Sequence, residues 1–279
     1  MHSKPLSHAD LLLQQRALPS QPRVVALLAN ELRKPAPNIR SLVQLFSMDP
    51  VLAARLLEVA NASVLAGGEA PRSIAQALML LTPAQIQQQI QQVVPGASPK
   101  ALQGWSVAKW ADYCQSVAKI ARALAASIQC NSSAAYTLGL LHGLGELLIH
   151  SADPHSAARL AELMEPINPG RALLEMKLLG YCSATVVSSL ARQWQLPHAM
   201  CASFQYMHVP LRQPVFDPLT GVLHLALWRA STRTLQWSER QLAVSFPAEV
   251  GLALGMDIDI VLRQASIDWH AGGSPDVQL

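Results

Sequence analysis

Apolar positions along this chain recur every three or four residues and almost never every second one. After Pro22, residues Val24, Leu28 and Leu32 fall on one side of a helix; after Asp49-Pro50, residues Leu52, Leu56 and Val59 do the same. The glutamine-rich stretch QIQQQIQQVV (85–94) spaces Ile86, Ile90 and Val93 four and three apart. That spacing predicts an amphipathic helix with glutamines toward water rather than a low-complexity segment. The punctuation is helical too. Asp49-Pro50, Thr82-Pro83, Asp153-Pro154 and Asn168-Pro169 each set a capping side chain before a proline suited to the first helical position. Thr82-Pro-Ala-Gln85 and Ser73-Ile-Ala-Gln76 have capping-box spacing.

The helical pattern stops at Val94. The turn-forming PGASP (95–99) predicts a boundary between an N-terminal helical subdomain, 1–98, and a second helical subdomain, 99–279. Beyond it the pattern predicts helices near 103–127, 133–149, 155–164, 170–179, 183–194 and 198–207. A proline-rich loop at 209–220 follows, then helices near 221–232, 238–252 and 257–266, and a tail at 271–279 without helical pattern. With no alternating run of useful length, the predicted fold class is all-α, a bundle of bundles.

Composition narrows the function classes. Hydrophobic residues make up 51% of the 279 and charged residues 14%, which excludes a disordered chain. The net charge of +3 is scattered, with no basic run longer than Arg33-Lys34, so a nucleic-acid partner is not expected. Cys114, Cys130, Cys182 and Cys201 form no CxxC and read as reduced thiols. The N-terminus MHSKPLSHAD lacks a signal-peptide core. The longest apolar run, Ala134 to Ile149, is interrupted by Thr137, His142 and Glu146, so no membrane span is expected and the location read is cytoplasmic.

Candidate chemistry centres on LLHGLGELLI (140–149). On one helix His142 and His150 would lie two turns apart, too far to chelate one ion, and no HExxH occurs. Glu146 follows His142 by one turn, which permits either a general-base dyad or a plain polar contact. Gly139 and Gly143 predict a flat strip against which another helix packs closely. A dinucleotide fingerprint is not met, because no strand precedes Gly143-Leu-Gly145.

Several stretches together resemble the bacterial HDOD family, the HD-related output domain. They are LPSQPRVVALLANEL (18–32), LVQLFSMDPVLAARLLEVANAS (42–63), PRSIAQALMLLTPAQIQQQI (71–90), AYTLGLLHGLGELLI (135–149) and LLGYCSATVVSSLARQWQLP (178–197), with His208 after the last. The match spans about residues 10–265. The resemblance implies an N-terminal helical subdomain followed by one related to HD metal phosphohydrolases, whose histidines and aspartates hold a divalent ion. Carried over residue by residue, that set is depleted. His142 matches the histidine of the His-Asp pair, but Gly143 replaces its aspartate. Tyr113 and Cys114 lie near the expected first histidine, Ser183 near a later one, and Glu146 replaces a lysine. The expectation is a degenerate pocket formed by Tyr113, Cys114, His142, Gly143, Glu146, Ser183 and His208, in a cleft between the two halves. No catalytic residue, metal or cofactor is assigned.

The leading functional reading is a non-catalytic bacterial signal-transduction module that acts through protein partners, with a small-molecule ligand in the vestigial pocket as a further reading. With no room for an attached output domain, such a chain is expected to act by contact. Leu211, Val215 and Phe216 of the proline-rich loop, and Trp105, Trp110, Trp228 and Trp237, are either interface anchors or core. The alternatives are a metal-dependent phosphohydrolase with an altered ligand set and a nucleic-acid-binding regulator.

Overall fold

A computed structural model describes residues 5–64, 68–92 and 106–263. The predicted boundary at 95–99, Val93, Trp105 and the tail at 271–279 lie outside the described residues. Those residues form α-helices and two short 3-10 turns, with no strand among them. The first helices are α1 (His8–Leu13), α2 (Pro22–Leu32), α3 (Ile39–Phe46), α4 (Pro50–Ala62), α5 (Ile74–Leu80) and α6 (Pro83–Gln92). The next are α7 (Val107–Ser127), α8 (Ser132–Leu141), α9 (Leu144–Ala152), α10 (Pro154–Leu163), α11 (Arg171–Leu179) and α12 (Ser183–Gln193). The last are α13 (His198–Tyr206), α14 (Pro218–Thr234), α15 (Glu239–Ser245), α16 (Ala248–Leu254) and α17 (Ile258–Arg263). Among the described residues, no helix is long and apolar enough to cross a membrane.

The caps explain most helix starts. Asp49 accepts from the N–H groups of Val51 (2.9 Å) and Leu52 (3.1 Å), and also from Gln21 N–H at 2.6 Å, tying the entry of α2 to that of α4. Thr82 and Gln85 form the expected reciprocal box. Ser73 caps α5, but Gln76 reaches back to Arg72 N–H instead of Ser73. Asn168 is not a cap: its side chain accepts from Gly170 N–H, and α11 begins only at Arg171. In α6, Ile86 and Ile90 are buried as their spacing predicts.

The 21-residue α7 runs through the middle of the second half, burying Trp110, Cys114, Val117, Ala121 and Leu124. Helix α8 lies along it with backbones nearly touching, because a Cβ on Gly139 would stand 2.5 Å from Ala118 Cα. Helix α14 packs on α7 as well. One apolar core runs from Leu11 to Val261 and joins both halves. The N-terminal segment crosses over: α1 packs on α9 and α12, Leu6 N–H donates to Asp153 (3.1 Å), and Tyr181 O–H donates to the Leu6 carbonyl (3.1 Å).

Two predicted helices are divided. The run 133–149 breaks at His142-Gly143, so α8 and α9 are separate and His142 and His150 lie on different helices. Both pieces are buried nearly all round, so the apolar spacing carries on through the break and does not reveal it. The run 238–252 divides at Phe246-Pro247, where proline lacks the N–H needed to continue the first helix.

Candidate functional site

The break at His142-Gly143 opens onto a cavity of about 320 Å³, at the small end of the range for ligand pockets. One wall comes from Trp110 and Tyr113 of α7. His142 and Gly143 form the floor, and Glu146 of α9, Arg171 of α11 and Ser183 of α12 form a second wall. The loop 166–169 closes a third side. His208 and the α14 residues His224, Leu227, Trp228 and Ser231 close the fourth. Six of the seven residues expected at a degenerate pocket therefore meet. Cys114 does not: it is fully buried behind Gly143, and burial pushes its thiol pKa up. The cavity is also not between the two halves, since all its lining lies between Trp110 and Pro247.

The first polar wall is a set of imidazoles. His142 Nδ1 lies 2.6 Å from the Gly139 carbonyl and His224 Nδ1 lies 2.8 Å from that of Met207. A carbonyl oxygen only accepts, so both Nδ1 atoms carry the hydrogen. Burial lowers the pKa of His142 to about 4, against a smaller upward pull from the Gly139 carbonyl. Burial, and then the nearby His224 and His142, lowers His208 to about 4 as well. Burial lowers His224 too. All three rings are neutral at pH 7. Tyr113 stands edge-on to His142, ring centres 5.7 Å apart, and its hydroxyl pairs with Ser231 (3.0 Å), which in turn donates to the Ile167 carbonyl (2.6 Å).

The second wall is a buried ion network. Glu146 pairs with His150 (2.8 Å) and with Arg171 (3.1 Å). This corrects the dyad expectation, because the i,i+4 partner of Glu146 is His150, one turn on, and not His142. Arg171 is 4% exposed and also donates to the Met164 carbonyl. Its Nε lies 3.4 Å from Glu175, an ion-pair distance but too long for a good hydrogen bond. Glu175 in turn accepts from Ser183 N–H at 2.6 Å. Burial alone would raise Glu146, but His150, the hydrogen bond from Glu175 and the guanidinium of Arg171 hold it down near 2. Burial and the charge of Glu146 push Glu175 well above the carboxylate range. Glu175 thus keeps its proton, Glu146 carries the charge, and Arg171 offsets it.

This donor set does not fit a divalent metal. Hard cations need several carboxylate or carbonyl oxygens, and zinc needs at least three nitrogen, sulfur or oxygen ligands. Among the described residues, no three His, Cys, Asp or Glu side chains stand close enough together to share an ion. At the aspartate position there is also no room for a side chain. A Cβ on Gly143 would come within 2.7 Å of Cys114 Sγ and 2.9 Å of Trp110 Nε1. The one carboxylate facing the cavity is already matched by Arg171.

Sequence reasoning had missed Arg171 and Glu175 and had left His224 unassigned. Arg171 and Glu175 stand at i,i+4, a spacing that could have flagged a pair on one helix face. Nothing local shows that the pair points inward toward Glu146. Of the proposed interface tryptophans, Trp110 and Trp228 are 3% and 5% exposed, so they are core and pocket wall. Trp237 is half-buried. Leu211 and Val215 are exposed and Phe216 is half-buried.

A model of the HDOD domain matches residues 18–210. The MmoQ response regulator from Methylococcus capsulatus shares the fold, with a TM-score of 0.70 at 20% identity over 89% of this chain and 98% of its own. A candidate phosphohydrolase from Shewanella amazonensis is 27% identical, with a TM-score of 0.53 over 93% of this chain and 94% of its own. An uncharacterized protein of Treponema pallidum is 23% identical over 215 residues, 75% of this chain but 41% of that relative's length.

Proposed function

The chain belongs to the HDOD domain family, and on that footing we propose that it is a non-catalytic signalling module that works through contacts with other proteins. The observation that carries this reading is the second wall of the cavity. Arg171 supplies a cation made of protein beside Glu146, at 3.1 Å, and a side chain at Gly143 would press on Cys114 and Trp110. A hydroxide-generating metal needs an open position and at least three converging donors, and among the described residues no three such side chains converge. The relative described as a response regulator supports a signalling context. The exposed Leu211 and Val215 of the proline-rich loop, 43% and 80% accessible, are the contact residues we assign to a partner.

The experiment is a turnover assay with p-nitrophenyl phosphate and bis-p-nitrophenyl phosphate, with and without added manganese or magnesium. Rates equal to those of the Glu146→Gln variant are expected under every condition. The likeness to the candidate phosphohydrolase favours a second reading, a phosphohydrolase with an altered ligand set. Metal-dependent turnover that Glu146→Gln abolishes would establish that reading in place of the first.

A further inference from the structure

The cavity keeps polar atoms that the fold does not use. In His142 and His224 the Nδ1–H is spent on a main-chain carbonyl, which leaves Nε2 of each ring as a lone-pair acceptor on the side away from that carbonyl. His142 is 6% exposed, and among the described residues no donor meets its Nε2 or that of His224. Both residues line the cavity, so an acceptor that the fold leaves unmet is within reach of a donor on a bound molecule. Around these acceptors the lining is aromatic and apolar, with Trp110, Trp228 and Leu227. The charges nearby are spent, since Arg171 is matched by Glu146 and the imidazoles are neutral.

We propose that this pocket binds a small uncharged heteroaromatic molecule of nucleobase size, whose ring N–H groups donate to Nε2 of His142 and His224 while the ring lies among Trp110 and Trp228. The inference rests on the non-catalytic reading above and names the ligand class of the same pocket. An anion such as a phosphate monoester finds no unpaired cation there, and a cation meets a guanidinium. A purely apolar ring would fill the space but leave both imidazole acceptors unmet. The cavity volume, about 320 Å³, accepts a fused two-ring system with a short substituent.

The test uses the full chain at pH 7.5 with four probes: adenine, benzimidazole, 1-methylbenzimidazole and adenosine monophosphate. Calorimetry is expected to show saturable binding of adenine and benzimidazole. Methylation, which removes the N–H donor, should weaken benzimidazole by about tenfold, the cost of one unmet buried acceptor. Adenosine monophosphate should bind no tighter than adenine. In nitrogen-15 spectra of the imidazoles, the unprotonated Nε2 signals of His142 and His224 should both move upfield as adenine is added, and one of them as benzimidazole is added, a readout that needs no variant. His224→Phe keeps the ring volume and should lose about tenfold in affinity for adenine, which has donors for both rings. Equal binding of the methylated and unmethylated probes, unmoved Nε2 signals, or adenosine monophosphate binding tenfold tighter than adenine would overturn the inference. Manganese titrated into the same protein reports on the functional reading instead. Saturable uptake there would sink both, whereas a protein that ignores manganese, adenine and benzimidazole alike sinks this inference alone.

Discussion

The two polar walls of the cavity are built from similar residue types and do opposite things. On the α9–α11 side, Glu146, His150, Arg171 and Glu175 meet one another within hydrogen-bond or ion-pair distance. On the α8–α14 side, His142 and His224 each use one ring nitrogen and leave the other open. The first wall spends its charges on one another, with only Arg171 Nε and Glu175 Oε1 left short of a hydrogen bond, so it serves the fold. The second keeps its ring acceptors open, so it is available to a ligand. A pocket can thus divide its polar groups between holding the structure and recognising something.

The comparison breaks most visibly if the charged wall is cut. Arg171→Ala removes the one guanidinium beside the buried charge of Glu146 and leaves it to His150, and should cost about 3 kcal/mol, read as a lower urea midpoint. Glu146→Gln combined with Arg171→Met removes both charges and should recover much of that loss. If Arg171→Ala costs under about 1 kcal/mol, the network is not what closes this wall.

The histidine wall is exposed by acid. The folded pKa of His142 lies near 4 against 6.5 for the free side chain, so the unfolded chain binds the proton more readily. The stability tied to the neutral ring is complete above pH 6.5 and is lost as pH falls through the window from 6.5 to 4. A shift of that size corresponds to roughly 3 kcal/mol. The difference in unfolding free energy between the wild type and His142→Phe, followed against pH, should shrink across that window. A difference that stays flat would show that the ring is not held neutral.

A smaller effect sharpens the floor between the walls. Gly143→Ala puts a methyl group against Cys114 and Trp110 and should cost about 1–3 kcal/mol of overpacking, measured by thermal unfolding. The smallest effect belongs to His208, which lines the cavity and whose side chain makes no hydrogen bond among the described residues. His208→Leu should change stability by less than about 1 kcal/mol. A larger loss would mean that the open wall also carries the fold.

The helical class was legible because a period of three to four residues and the proline-capped starts report local physics, as at Asp49-Pro50 and Thr82-Pro83. The pocket was legible in its residues but not in its wiring. His142, Gly143, Glu146, Ser183 and His208 could be placed together by motif order, yet the partner of Glu146 could not. That partner depends on a helix break that the near-continuous burial of 134–149 conceals. Arg171 reaches Glu146 from 25 residues away across a loop, and no local spacing encodes such a contact. Cys114 was misplaced for a related reason. Adjacent residues on α7 point to different sides, so Tyr113 faces the cavity while Cys114 faces the back of Gly143.

The account rests on a cavity whose one carboxylate is held by a guanidinium, and the most direct measurement is calorimetric titration of manganese into the metal-stripped protein, with elemental analysis of the product. No saturable heat and no stoichiometric manganese are expected, either for the wild type or for Gly143→Asp, because Arg171 still occupies the carboxylate. One equivalent of tightly held manganese in the wild type would contradict the account.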